Sequence, residues 1–299
     1  VDAPGAVLYA SVTTSGNQAY DVDDFVYGAN ITLLSGAGQL SIGSEGQEAQ
    51  VAAEDVFGKY QGFSLSAGDA NQTGDVAIYG YGTQSSNLSE VAQLGRLKIG
   101  EGSFNVAVQT SKQLYIEHGE FLNEGNVALT TAASESSFLA FTDGLKAVAN
   151  VVVSGTVKSD ATQEYAGNVS LAGNTEFAGN TATFANGLDG AGNDLTINFA
   201  QTSTVDGFNN VNNFTSLGAV GLNGTFSTIG SQTYNGAVTL IGDATVIDQA
   251  SSRFVLDYGN MSVTETLSGI GQVRAVATSQ NGEYAFVAAD SDGLQVVQV

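Results

Sequence analysis

The sequence predicts an all-β fold, a parallel β-helix (β-solenoid) followed by a short antiparallel C-terminal meander. Short segments that alternate apolar and polar residues recur between glycines and asparagines, which is the pattern of short strands joined by tight turns. One frame occurs twice, because residues 163–177 and 232–246 share Gln-x-Tyr-x-Gly-x-Val-x-Leu-x-Gly with every matched position shifted by the same interval. Repetition at a fixed spacing is typical of solenoids and other repeat proteins.

The first predicted region, residues 1–150, is an irregular β-solenoid or another β-rich arrangement. Gly followed by apolar-x-apolar places strands at Ile31, Val76 and Val127, and the same element recurs at Val169 and Val238. These spacings approximate two or three times a unit of ~21 to 25 residues, so we expect solenoid turns of that size and about 13 turns in all. Residues 134 to 149 have only a faint helical pattern, and no helix is predicted there.

The second predicted region, residues 151–265, contains the clear repeats. Valine, leucine, isoleucine and phenylalanine should stack as inward columns, with Val169 and Val238 both pointing to the core. Asparagine is dense at residues 209–213, where it tolerates left-handed turn conformations and hydrogen-bonds nearby backbone. In stacked turns the same asparagines are also expected to pair with their equivalents above and below.

The third predicted region, residues 266–299, changes character. Turn signals at Asn281-Gly282 and Asp290-Ser-Asp-Gly293 separate three strand-like segments, which predicts an antiparallel meander. Three interpretations of this segment stay open: the first blade of a propeller, a cap on the solenoid, or a segment that pairs with a neighbouring molecule.

Composition and charge exclude several classes of protein. The chain has 299 residues with 38 glycines, one proline, no cysteine and a net charge of −22. Its eight basic residues are scattered along the sequence, so nucleic acid and anionic lipid are poor partners. No apolar run approaches the roughly 18 residues of a membrane-spanning helix, and no membrane span is predicted. Because the first residue is Val1 rather than Met and no charged-then-apolar leader follows it, we expect any export signal to have been removed.

The sequence offers little for catalysis. Its one histidine, His118, lies in Ile116-Glu-His-Gly-Glu120, which we interpret as a solvated turn rather than a metal site. Cysteine nucleophiles, Gly-x-Ser-x-Gly elbows and phosphate-binding loops are missing from the sequence. No catalytic or cofactor-binding residue is predicted, and the chain is not expected to be an enzyme.

Two acidic turns are candidates for calcium binding. Asp21, Asp23 and Asp24 form one group, and Asp290 and Asp292 form the other, with carboxylates on alternate residues. Hard oxygens at that spacing can converge on one Ca²⁺ ion, although a solvated acidic turn is the alternative interpretation.

Two family resemblances follow from these motifs. The frame over residues 163–250, with Leu222-Asn-Gly-Thr-Phe-Ser-Thr-Ile-Gly230, resembles the repeats of bacterial surface proteins of the filamentous-haemagglutinin type. That resemblance implies a right-handed parallel β-helix, exported to the cell surface as a stalk or adhesin, with no catalytic residues. The segment Val276-Ala-Thr-Ser-Gln-Asn-Gly-Glu-Tyr-Ala-Phe-Val-Ala288 resembles one blade of a lactonase-type β-propeller.

The predicted function is therefore that of a non-enzymatic structural protein, secreted or held at the cell surface. We expect a stalk, an adhesin or a self-assembling filament subunit, with head-to-tail stacking or strand exchange between copies. Surface glycans are the expected ligands. The alternative is a carbohydrate-binding or polysaccharide-degrading β-helix protein, since paired carboxylates in a solenoid groove can cleave glycosidic bonds.

Overall fold

The computed structural model shows an all-β chain whose strands stack in parallel turns. It describes residues 2–27, 31–36, 38–44, 47–53, 55–56, 59–60, 63–66, 76–81, 94–134, 136–248, 255–256, 273–278, 284–289 and 293–298. No helix occurs among these residues, so 134 to 149 is not helical where it is described. The chain divides into two compact units, Val1–Asp257 and Tyr258–Val299.

The first unit contains 27 of the strands in the described ranges. They are β1 (Asp2–Leu8), β2 (Val12–Thr13), β3 (Gln18–Tyr27), β4 (Ile31–Leu34), β5 (Leu40–Ile42), β6 (Ala49–Ala53), β7 (Asp55–Val56), β8 (Lys59–Tyr60), β9 (Phe63–Ser66), β10 (Val76–Tyr81), β11 (Leu94–Ile99), β12 (Val106–Thr110), β13 (Gln113–Phe121), β14 (Val127–Thr131), β15 (Phe138–Phe141), β16 (Leu145–Ala147), β17 (Val151–Tyr165), β18 (Val169–Phe184), β19 (Leu188–Asp189), β20 (Leu195–Phe199), β21 (Ser203–Val205), β22 (Phe208–Val211), β23 (Phe214–Ser216), β24 (Val220–Thr228), β25 (Gln232–Tyr234), β26 (Val238–Asp248) and β27 (Val255–Leu256). All of them join one sheet except β7 and β8, which form a short antiparallel hairpin.

Each turn of the solenoid contributes strands to three parallel ladders, which we call faces A, B and C. The long strand β17 defines them, because residues 151–153 lie on face A, 157–159 on face B and 163–165 on face C. Face A pairs β3, β5, β10, β12, β14, β17, β18, β19, β22, β24 and β26 in succession. The ladders run from turn to turn across residue 150 without a change of direction.

The core is a set of apolar columns inside these faces, as the alternating pattern predicts. On face A the column Val106, Val127, Val151 and Val169 is buried throughout. Aromatic rings fill part of this interior. Tyr165 stacks on Phe184 with ring centroids 5.1 Å apart, and Phe214 meets Tyr234 edge-on at 5.3 Å. Such pairs add to the free energy of apolar burial, so they hold neighbouring turns in register.

The second copy of the repeated frame does not return to the face of the first. Gln163 lies on face C, whereas Gln232 pairs with Phe214 on face B. The interval between the two copies covers three full turns and two further faces. Val169 is accordingly on face A and buried, while Val238 is on face C and only half-buried. Our interpretation of the interval as three whole turns is therefore wrong, because a strand between two glycine turns fits any face.

Turn length also differs from the prediction. The successive face-A positions Val151, Val169 and Leu188 lie closer together in sequence than the predicted unit. Earlier turns are longer than that unit, as between Val76 and Val106. The solenoid has about ten turns rather than 13, because the long early turns and the separate C-terminal unit take residues away from the stack.

Three buried Gln-x-Tyr pairs act as polar clamps in the core, one on each face. In each pair the tyrosine hydroxyl donates to the glutamine Oε1, at 3.1, 2.8 and 2.8 Å for the pairs Gln18–Tyr20, Gln163–Tyr165 and Gln232–Tyr234. Each glutamine Nε2 donates to a backbone carbonyl about one turn further on, at Leu34, Ala178 and Ile247. A buried amide costs stability unless it is satisfied, so these pairs fix the path of the chain around the turn.

Asparagine side chains connect equivalent corners of adjacent turns. The Asn105 and Asn150 Oδ1 atoms accept the backbone N–H of Asn126 and Asn168, at 3.0 and 3.1 Å. At residues 209–213, where pairing between equivalent asparagines was predicted, Asn210 and Asn212 instead donate to Asp189 and Asp194 of the preceding turn. Asn210 also fills the predicted turn role, with a φ of 52°.

The second unit contains the predicted antiparallel meander. Its strands are β28 (Val273–Thr278), β29 (Tyr284–Ala289) and β30 (Gly293–Gln298), paired in chain order. Whether this meander serves as a propeller blade, a cap or an exchange segment stays a prediction.

Candidate functional site

The predicted calcium residues of the N-terminal group lie on the outer surface of β3. Asp21, Asp23 and Asp24 are all exposed, because the in-out alternation shifts by one residue where the strand passes from face A to face B. The Ser44 hydroxyl donates to Asp21 Oδ1 at 3.4 Å. Among the described residues, no group of three or more His, Cys, Asp or Glu side chains converges as a metal site would require. Asp290 and Asp292 lie outside the described residues, and calcium binding stays a prediction.

Basic residues that are scattered in the sequence come together on the outside of face C. Register places Lys98, Glu120, Lys146 and Glu164 in one outward column of alternating charge. Lys98 Nζ lies 3.7 Å from a Glu120 carboxylate oxygen. Because charges of both signs alternate there, the column offers no uniformly basic surface to an anionic polymer.

The neighbouring outward column contains Arg96 and His118. Arg96 forms an ion pair with Asp143 at 3.3 Å, with both side chains mostly exposed. The His118 Nδ1–H donates to the Asp143 carbonyl at 2.8 Å. Exposed ion pairs contribute at most about 1 kcal/mol each, so the Arg96–Asp143 pair adds little to stability.

A groove of small side chains runs along the outside of face A, and we call it the long groove. Its floor is an outward column in register over nine strands: Ala19, Ser41, Ala77, Ala107, Ala128, Val152, Ser170, Asp189 and Asn209. Alanine and serine make up most of this column, and Val152 separates the depression over its first part from the depression over its last part.

Two cavities lie along the long groove. The first, of about 570 Å³, covers the alanines at 77, 107 and 128 and is rimmed by Tyr79, Asn105 and Asn126. The second, of about 580 Å³, lies over Ser170 and Asp189 and is bordered by Asp206.

The carboxylates at the second cavity are already engaged in local hydrogen bonds. Asp189 Oδ1 accepts from the Ala191 N–H at 3.0 Å and from Asn210 Nδ2 at 3.2 Å. Asp206 Oδ1 accepts from Asn223 Nδ2 at 2.9 Å. These bonds shape the corner, and they also place fixed polar groups at the edge of the groove.

A smaller depression on the outside of face B combines aromatic and charged side chains, and we call it the aromatic recess. Register aligns Tyr115, Ala140 and Lys158 across three consecutive turns, so the small Ala140 lies between two long side chains. Phe138 and Thr142 flank Ala140 along its own strand, since residues two apart point to the same side. The resulting cavity has a volume of about 220 Å³.

The side chains around the aromatic recess contact one another closely. The Tyr115 and Phe138 rings meet edge-on with centroids 5.4 Å apart, and Lys158 Nζ lies 4.2 Å from the Phe138 centroid. Burial raises the pKa of Tyr115, and the nearby charge of Asp160 raises it further. The Tyr115 hydroxyl therefore keeps its proton at neutral pH and can donate a hydrogen bond.

The sequence predicted neither the aromatic recess nor the long groove. Gln113 and Tyr115 have the same spacing as the core clamps, but Leu114 and Ile116 occupy the interior and turn Tyr115 outward. The signal in the sequence is Leu114, the large apolar residue between Gln113 and Tyr115. It marks its own side of the strand as the inner side, so Gln113 and Tyr115 lie on the outer side.

Comparison of the chain with protein-family models, with curated proteins and with solved structures found no match. Within the described ranges, none of the structure is a helix able to cross a membrane.

Proposed function

We propose that this chain is a non-enzymatic structural protein of the cell surface, a stalk, adhesin or filament subunit built from repeats of the filamentous-haemagglutinin type. The observation that supports it is the unbroken parallel ladder of face A through eleven strands, from β3 to β26. Each turn hydrogen-bonds to the turns before and after it, so the stack resists separation along its length.

Surface location is tested directly on cells of the source organism. Antibodies against the purified chain should label intact cells, and brief protease treatment of those cells should remove the label. Labelling that requires permeabilised cells would contradict the proposal. Release of reducing ends from a panel of polysaccharides would contradict its non-enzymatic part.

Self-association is supported by the outer edge of β26, which pairs only with β24 among the described strands. Leu240 is 66% exposed, although Leu222, its register partner one turn earlier, is 1% exposed. Val246 is likewise exposed above buried Phe226. The occupant we propose is a second copy, since face C also ends at the opposite end of the stack in β2, which pairs only with β4 among the described strands.

Sedimentation velocity over a concentration series tests this contact. The unmodified chain should form oligomers as concentration rises, and Leu240→Lys should remain monomeric because a charge would be buried in the contact. Leu217→Lys is the matched control, because Leu217 is also exposed but lies in a turn on the side of the solenoid. Equal sedimentation of the unmodified chain and Leu240→Lys would exclude the end-to-end contact.

A second candidate function is polysaccharide binding, and the long groove favours it. The first cavity spans the outward residues of four successive strands and has Tyr79, Asn105 and Asn126 on its rim. It suits a short stretch of a sugar chain, since such sites combine an aromatic surface with a few fixed polar groups. Ala107→Leu should fill the groove and weaken binding in a glycan array, whereas Ala172→Leu, at an exposed position on β18, should not. Equal binding by both variants would exclude the groove.

A further inference from the structure

We infer that the aromatic recess is a binding site for one neutral pyranose ring of a surface glycan. The inference rests on carbohydrate binding, the second candidate function, and it assigns that function to a place outside the long groove. The recess lies on face B, and none of its lining residues belongs to the column that forms the groove floor on face A.

The shape of the recess follows from a lattice of outward side chains. Strands lie about 4.8 Å apart and every second residue points outward, so the nearest outward neighbours of Ala140 are Tyr115, Lys158, Phe138 and Thr142. Ala140 has a smaller side chain than all four of these neighbours, and its methyl group forms the floor of the recess. The opening is therefore one side chain wide, which suits a single ring rather than an extended polymer.

The walls offer the two kinds of contact that a sugar requires. One side of a pyranose presents C–H groups, which pack against the electron-rich face of an aromatic ring such as Tyr115. The hydroxyl groups on its rim need fixed donors and acceptors. Lys158 Nζ and the Tyr115 hydroxyl can donate, while the exposed Asp160 carboxylate can accept.

The charge around the recess favours a neutral sugar over an acidic one. Asp160 would face the carboxylate of a uronic or sialic acid, and the chain as a whole has a net charge of −22. Lys158 is already placed over the Phe138 ring, which satisfies part of its charge. The site therefore has a lysine ammonium group fixed over an aromatic ring and an exposed carboxylate. Together they can donate to and accept from the hydroxyl groups of a neutral sugar.

Saturation-transfer NMR titration of the full chain tests the site. The probes are methyl β-D-galactopyranoside, methyl α-D-mannopyranoside, methyl β-D-glucopyranoside, methyl N-acetyl-β-D-glucosaminide and, as the acidic comparison, methyl β-D-glucuronide. At least one neutral glycoside should bind with a dissociation constant of about 1 mM, as a single-ring site allows. The glucuronide should bind at least about tenfold more weakly.

Three variants locate the binding. Ala140→Val should fill the floor, Tyr115→Ala should remove the stacking surface and Asp160→Ala should remove the acceptor, each weakening binding at least about tenfold. Ala178→Val is the matched control, because Ala178 is the next residue in the same outward column beyond Lys158 and is equally covered. All four variants should keep the far-UV circular dichroism of the unmodified chain, and only Tyr115→Ala, which loses the edge-on contact with Phe138, should lower the urea midpoint.

Several outcomes would overturn the assignment: no saturable binding of any neutral glycoside, tighter binding of the glucuronide, or equal binding by Ala140→Val and Ala178→Val. The test is separate from that of the long groove. Polysaccharide binding that is lost in Ala107→Leu, without any methyl glycoside binding at the recess, would refute this site and leave the groove intact. The reverse result would refute the groove alone.

Discussion

The buried clamp between Tyr165 and Gln163 gives the sharpest test of how the turns are held. In Tyr165→Phe the ring remains, but Gln163 Oε1 loses the hydroxyl that donates to it at 2.8 Å. Gln163 is 0% exposed, so water does not replace that donor. An unsatisfied buried acceptor costs about 1 to 3 kcal/mol, and Tyr165→Phe should lower the free energy of unfolding by that amount.

A double-mutant cycle separates the hydrogen bond from packing. Gln163→Leu alone leaves the Tyr165 hydroxyl without its acceptor in the core, whereas Gln163→Leu combined with Tyr165→Phe removes both polar groups. The double variant should therefore be less destabilised than the sum of the two single variants, by about 1 kcal/mol.

Urea unfolding followed by far-UV circular dichroism and tyrosine fluorescence measures these changes, since the chain has no tryptophan. The midpoint is the quantity to compare, because stacked repeats unfold in segments. Tyr79→Phe is the control: Tyr79 is half-buried on the outer surface, and its midpoint should change by less than the equivalent of about 0.5 kcal/mol. If Tyr165→Phe and Tyr79→Phe had the same midpoint, the clamp would have no stabilising role.

A buried tyrosine, a strained glycine and the candidate calcium site each give a further prediction. Burial raises the pKa of Tyr234 above its usual value of 10.0, so the folded state keeps a proton that the unfolded state loses; stability should be constant below about pH 10 and fall above it, with tyrosinate absorbance rising only as circular dichroism is lost. Gly179→Ala should lower the free energy of unfolding by more than about 2 kcal/mol, because φ is +125° and an added Cβ would overlap the Ser159 carbonyl. Gly16→Ala, with open space around the added Cβ, should leave the free energy of unfolding nearly unchanged. If the predicted calcium site exists, millimolar Ca²⁺ should raise the thermal midpoint of the chain and Asp23→Asn should abolish the rise; an equal midpoint with Ca²⁺ and with EDTA would exclude the site.

The sequence was sufficient to predict the class of fold because solenoid strands are short and carry their own signals. Val169 and Leu171 alternate with polar residues and are both buried, as expected. The turn signals of the C-terminal segment likewise predicted the antiparallel pairing of β28 to β30. In these places local alternation and turn chemistry agree with the tertiary structure.

The arrangement of strands into turns was not predictable in the same way. Any of the three faces accepts an alternating strand with a glycine or asparagine corner, so Gln163 and Gln232 look equivalent and lie on different faces. Turn length also varies, because the turn that begins at Val76 is much longer than the turn that begins at Val151. This variation removes any fixed period from the sequence.

The aromatic recess shows why outward sites were harder to predict than the core. Tyr115, Ala140 and Lys158 are far apart in sequence, and the intervals between them are unequal. These neighbours follow from register alone, and register depends on every intervening corner. The inward residues of most strands needed no such knowledge, because the local alternation of apolar and polar residues marks the inner side of a strand.

The interchangeability of the three faces has a consequence for how such a chain can change over generations. Loss or gain of one strand with its corner would leave every later residue able to stack, but it would rotate all of their outer side chains onto the adjacent side of the column. Insertion or deletion of a gene segment that encodes one strand would thus change which outer side chains of the later turns lie side by side with those of the earlier turns. The composition of the interior would stay the same.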